Sequence, residues 1–211
     1  MKTKATVPSG TMSSAGDARE RIVSAAWELF NEQGYAAATT REIARRAKVS
    51  KRELYALVGN KEEMLAASIA ERGSRMRLPE GFPPPVDRAS LRGALRKFGA
   101  TMLAEITDPD VVAVFRLGIA EAKRSPAIAK SIQARGREPA RNALAGVLRA
   151  AREARLLRDA DVGEMISRFN ALLWGDVMVW ILLGLEKSPT GKEIDRRAEA
   201  ATDSFLSIYG R

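Results

Sequence analysis

The chain contains no cysteine and no histidine. Without thiols there is no disulfide framework and no thiolate metal site. Without imidazole the common zinc sites, the Ser-His-Asp and Cys-His arrangements and the commonest general base are also excluded. An enzyme would have to work through carboxylates, Lys, Tyr or Ser. No pair of these stands at a recognisable spacing, so no catalytic residue, metal or cofactor is expected. Long apolar runs are missing too. The most apolar stretch, Ala171–Leu185, is interrupted by Asp176 and falls short of the roughly 20 residues that span a bilayer. The first residues lack the apolar core of a signal peptide. A cytoplasmic protein with no membrane partner is the expectation. Acidic residues are comparatively scarce: 26 Asp and Glu face 35 Lys and Arg, for a formal net charge of +9. That balance favours an anionic partner without choosing which.

Of the 211 residues, 45% are hydrophobic and 29% charged, as in an ordinary globular protein of one or two domains. The apolar spacing is helical throughout, so the fold class is all-α. Residues 1–16 read as a disordered basic tail. A first helix runs from Asp17 to Gln33, with Ile22, Ala25, Ala26, Leu29 and Phe30 on one stripe, and Gly34 stops it. Thr39 or Thr40 caps a short second helix that turns Ile43, Ala44 and Ala47 inward. Ser50 caps a third, and Glu53 three positions later completes a capping box. Two short helices joined by a tight turn make a helix-turn-helix, whose second member lies in the DNA major groove. Seven basic residues (Arg41, Arg45, Arg46, Lys48, Lys51, Arg52, Lys61) against two acids in 39–61 suit that role.

Residues 17–62 therefore form the DNA-binding domain, and 63–78 a connecting helix. The Pro-rich segment 79–89 is a stiff linker, and residues 90–211 form a helical regulatory and dimerisation domain. Five helices are expected there, near Ser90–Thr107, Pro109–Lys123, Pro126–Leu157 (kinked near Pro139), Ala160–Glu186 and Thr190–Tyr209. The Arg-rich run from Arg135 to Arg158 reads as a solvated face.

The run Arg21–Phe30, Gly34-Tyr35, Thr40-Arg41-Glu42-Ile43-Ala44, Val49-Ser50-Lys51, Leu54-Tyr55 and Lys61-Glu62-Glu63-Met64-Leu65 resembles the N-terminal domain of TetR-family transcriptional regulators. The rest of the chain matches that family only in helical character and length. The resemblance implies a homodimeric, cytoplasmic, bacterial DNA-binding protein, in most members a repressor released by a small molecule. It also offers Tyr55 and Lys61 as phosphate contacts, although Tyr55 can equally pack on the first helix. Members often carry Gly or Thr where this chain has Arg52 and Glu53, and aromatic or His residues in place of Ala56, Leu57 and Val58. The DNA sequence read here is therefore not transferable from relatives.

Within this frame Thr39, Thr40 and Arg41 lie at a helix start suited to phosphate. Ser50, Lys51, Arg52 and Glu53 open the recognition helix. Lys51 or Arg52 can donate to guanine O6 and N7, and Glu53 can accept from cytosine N4 or remain with its cap. Symmetric pairing of two such domains predicts a palindromic double-stranded operator.

The 160–186 helix is apolar all round, so it needs a core on one side and a partner subunit on the other. Phe169, Leu173, Asp176, Val177 and Trp180, with Ile194, Ala198, Ala201, Phe205 and Ile208 of the last helix, are the candidate homodimer interface. Asp176, amid apolar neighbours, calls for an ion pair or a cationic ligand. An effector of unknown identity is expected between the helices, against Phe98, Met102, Phe115, Trp174 and Met178. Arg116, Arg168 and Asn170 are its polar candidates. Two other functional readings stand beside the repressor: a small-molecule-binding protein with a vestigial helix-turn-helix, and a ligand-dependent activator.

Overall fold

The computed structural model describes residues 11–75, 82–123 and 126–211. Among them there are eleven α-helices, one π-helical turn and no strand. The first four helices are α1 (Thr11–Gln33), α2 (Thr40–Ala47), α3 (Lys51–Leu57) and α4 (Lys61–Arg75). They close around Ile22, Ala26, Leu29, Phe30, Ile43 and Leu54, joined by Met64, Leu65 and Ile69 of α4. Leu54 and Ile43 are fully buried; Leu54 is the buried anchor of the recognition helix, with Leu57 and Val58 packed beside it. Both helix starts are chemically defined. The Thr39 hydroxyl accepts from the Glu42 N–H at 3.2 Å, and Ser50 and Glu53 satisfy each other's backbone N–H groups. Such caps contribute typically about 1 kcal/mol each.

The remaining helices are α5 (Arg88–Ile106), α6 (Pro109–Glu121), α7 (Pro126–Ile132), α8 (Glu138–Glu153), α9 (Val162–Trp174), α10 (Val177–Leu183) and α11 (Gly191–Tyr209). α5, α8, α9 and α11 surround a second core. A chain of rings runs through it: Phe98 to Phe169 at 6.2 Å, Phe169 to Phe205 at 5.5 Å and Phe205 to Tyr209 at 5.0 Å between centroids. Gly99 lets α5 approach this closely, since a Cβ there would meet the Leu173 side chain at 3.1 Å. Arg92 ties α5 to α11 outside the core, donating to both Asp203 oxygens at 2.8 and 3.0 Å and to Glu199 at 2.9 Å.

α6 belongs to neither domain alone. Its Val114 and Leu117 are buried in the DNA-binding core, while Val112 packs with Val177 and Ile181 of α10. The N-terminal helical unit and the larger helical unit thus share packed side chains directly, beyond α4.

Four expectations change. Helix α1 begins at Thr11 rather than Asp17, so 11–16 are helical; each added residue gains a backbone hydrogen bond once the helix is nucleated. Residues 1–10 of the expected tail lie outside the described residues. So do 76–81, which hold the end of the expected connecting helix and the start of the linker. α5 starts at Arg88, two residues early, because Asp87 caps it, with Ser90 as the N3 partner in the box. The expected kink near Pro139 is a π-helical turn over Gln133–Arg137, which ends two residues before the proline that cannot donate a backbone hydrogen bond.

The largest change is the 160–186 segment, which is two helices meeting at 56°. Gly175 adopts φ +52, a left-handed conformation that favours glycine. No single described helix is long and apolar enough to cross a membrane.

Candidate DNA-binding face and effector cavity

The outer surface of α2 and α3 brings several expected contact residues together. The Thr40 and Tyr55 hydroxyls lie 3.4 Å apart, and the Lys51 ammonium stands 5.9 Å from the Tyr55 ring centroid. Tyr55 is 43% exposed, so its ring is not spent on packing against α1. Arg41 and Arg52 are exposed, with no ion-pair partner among the described residues. Hydroxyls at a helix start followed by unpaired cations fit the phosphate-positioning half of DNA recognition. Arg52 and Lys51 at the first turn of α3 fit base reading.

Three basic or polar candidates are held by the protein itself. The Arg46 guanidinium makes a two-pronged contact with Glu32, 2.8 Å on each side. That hydrogen bonding holds the Glu32 carboxyl below its ordinary value. The Lys61 ammonium donates to the Ala36 carbonyl at 3.2 Å and stacks 4.5 Å over the Tyr35 ring. Partial burial pulls it below the usual lysine value, offset in part by the Glu121 charge. Glu53 is engaged by its cap: its Oε2 accepts from the Ser50 N–H at 3.4 Å.

Behind this face, a cavity of about 650 Å³ opens between the helices from α4 to α9. Four expected wall residues, Phe98, Met102, Phe115 and Trp174, do line it. The buried Trp174 Nε1–H has no acceptor among the described residues. Asn170 lines the cavity, whereas Arg168 instead faces Glu164 at 3.5 Å on its own helix.

Two further expectations fail here. Arg116 does not reach the cavity. It donates to the Leu182 and Ile181 carbonyls at 3.0 and 2.6 Å, satisfying the free end of α10 as a C-terminal cation should. Met178 packs between the α10 cluster and the main core and is not a cavity wall. In the other direction, Arg72, Arg137 and Arg141 line the cavity without having been singled out. Arg72 was legible in principle: it continues the inward stripe Leu65, Ser68, Ile69 at helical spacing, where a charge is out of place.

Comparison with known proteins gives this arrangement a family. Residues 22–68 match the profile described as bacterial regulatory proteins, tetR family. Residues 93–211, more than half of the chain, match that of the AefR-like transcriptional repressor C-terminal domain. The chain belongs to the TetR family. A TetR-family regulator from Agrobacterium tumefaciens shares the fold with a TM-score of 0.81 and 30% identity, over 92% of this chain and 94% of that one. The flavonoid-responsive regulator FrrA superposes with a TM-score of 0.76 at 33% identity, over 92% and 98%. The HTH-type transcriptional regulator HbdR of Aromatoleum sp. (strain CIB) is 39% identical over 75 residues, and the match spans about a third of that relative's length. As a TetR-family member the protein is a DNA-binding transcriptional regulator and not an enzyme.

The expected dimer residues of this TetR-family chain divide by burial. Phe169, Leu173, Val177, Ala198, Ala201 and Phe205 are buried within the chain's own core, so a partner has no surface of theirs to cover. Ile194 is half-buried against that core. Trp180 and Ile208 are 38% and 37% exposed. They join Leu172, Val179, Leu183 and Leu185, which sequence periodicity assigned no separate role. Asp176 is not a buried acid. It is exposed and accepts from the Trp180 indole N–H at 2.9 Å. The bend at Gly175 turned it to solvent.

Proposed function

We propose that the protein is a homodimeric repressor of a palindromic operator, released when a small molecule enters the cavity behind the DNA-binding face. The observation that carries this is shared structure. α4 and α6 contribute Ile69, Arg72, Val111 and Val114 to the cavity wall, and the same helices contribute Ile69 and Val114 to the core beneath α2 and α3. A ligand that favours one arrangement of α4 and α6 therefore acts on the spacing of the recognition helices. A coupling of about 1–3 kcal/mol is typical for such linkage. The match to a repressor-type C-terminal domain supports the sign of regulation. The flavonoid response named for FrrA supports an aromatic effector.

Dimerisation is assigned to the exposed apolar residues Leu172, Val179, Trp180, Leu183, Leu185 and Ile208 on α9, α10 and α11. A cluster of large exposed apolar residues within three neighbouring segments of the chain is what an association site needs. Two copies related by a two-fold axis would present recognition helices to successive major grooves about 34–36 Å apart.

The test is a selection of bound fragments from random duplex DNA, followed by sedimentation of free and bound protein. A symmetric site, a dimer in solution and salt-dependent affinity are expected. A monomer with no preference over random competitor overturns the reading. Leu183→Glu should produce monomer and weaken operator binding without unfolding the chain, because Leu183 is 64% exposed.

A further inference from the structure

The charge on the cavity wall is one-sided. Arg72, Arg137 and Arg141 line it, and no Asp, Glu or Lys does among the described residues. The rest of the wall is mainly aliphatic and aromatic. Arg137 and Arg141 are exposed, so water screens them at the mouth. Arg72 is different: it is only 8% exposed, where a charge interacts far more strongly. Its guanidinium lies 4.0 Å from the Trp27 ring centroid in α1 and 3.9 Å from the Asp110 carboxylate at the start of α6. One side chain on α4 therefore touches the cavity, the DNA-binding domain and the regulatory domain.

Resting on the effector reading above, we propose that the cavity takes an apolar molecule carrying one anionic group, and that this group seats on Arg72. A carboxylate, sulfonate or phenolate forms short charge-assisted hydrogen bonds with a guanidinium, while the apolar body fills the space between Phe98, Met102 and Phe115. The anion competes with Asp110 for the positive charge of the guanidinium and draws it from the face of Trp27. That exchange loosens the tie between α4 and α1, which gives the ligand its preference for one arrangement of the two domains. Arg137 and Arg141 attract the anion to the mouth.

The test uses the full chain and two fluorescent probes with the same aromatic frame: 8-anilino-1-naphthalenesulfonate and the uncharged N-phenyl-1-naphthylamine. Wild-type protein should bind the sulfonate at least about tenfold more tightly. Arg72→Met should bring its affinity to that of the neutral probe and leave the neutral probe within about twofold. Arg72→Lys should keep most of the preference. Equal affinities for the two probes in wild type overturn the anionic class, and this comparison holds even if Arg72→Met does not fold. A preference abolished by Arg137→Met or Arg141→Met but retained in Arg72→Lys and Arg72→Met overturns the seating. Failure of both probes to bind wild type overturns the effector cavity itself, a result separable from equal binding.

Discussion

The DNA-binding unit and the cavity behind it are built by opposite rules. In the first, Thr40, Arg41, Lys51, Arg52 and Tyr55 are near neighbours in the chain. Two caps and one buried leucine place them. In the second, the wall draws on every helix from α4 to α9, so that Arg72 and Trp174 line one cavity from about a hundred residues apart. The difference teaches where tolerance lies. A face made of short-range hydrogen bonds fails when its scaffold fails. A cavity wall already faces empty space on one side, so shortening one of its partly exposed side chains removes fewer contacts than emptying a closed core.

Substitution in the two regions sharpens that contrast. Leu54→Ala removes a fully buried side chain and should destabilise the DNA-binding unit by about 2–5 kcal/mol. Phe115→Ala, half-exposed against empty space, should cost well below that range in urea unfolding while changing the affinity of an aromatic probe. Equal losses from both would break the distinction. Next in size, Arg52→Ala should cost about 1–3 kcal/mol of operator affinity and relax sequence preference at one position. Arg41→Ala should weaken binding to all sequences alike, with a shallower salt dependence. Binding measured across a library of single-base variants separates the two patterns. Ser50→Ala should cost about 0.5–2 kcal/mol, read as a lower unfolding midpoint and a uniform loss of DNA affinity.

The smallest expected effect concerns pH. Glu32 is held below its ordinary value of 4.5 chiefly by its hydrogen bonds from Arg46. The stabilisation is fully present above 4.5 and is lost as pH falls through the lower, folded-state value. The stability gap between wild type and Glu32→Gln should therefore narrow on acidification below 4.5. A gap that is constant with pH would show that the contact is not the source of the shift.

How much was legible follows the same division. The caps at Thr39 and Ser50, the inward set Ile43, Ala44, Ala47 and Leu54, and the exposed cations of α3 are all encoded within one or two turns of helix. Phe98, Met102, Phe115 and Trp174 were also found as walls, since large apolar side chains on facing helices meet. Arg116 and Met178 were misplaced because nothing local says which way a helix is rotated relative to its neighbours. Asp176 and the interface were misread for one reason. A continuous apolar pattern from 160 to 186 hid the bend at Gly175, which divides its residues between the chain's own core and an exposed patch.

Sequence alone determined the helical class, the helix-turn-helix and the caps that start its helices, because those depend on interactions between positions three or four apart. Only the tertiary structure decided that α6 enters the DNA-binding core, that Arg72 stands where cavity, Trp27 and Asp110 converge, and which apolar side chains remain for a partner. Those outcomes depend on the angles at which helices cross, and crossing angles are set by the whole of the packed interior at once.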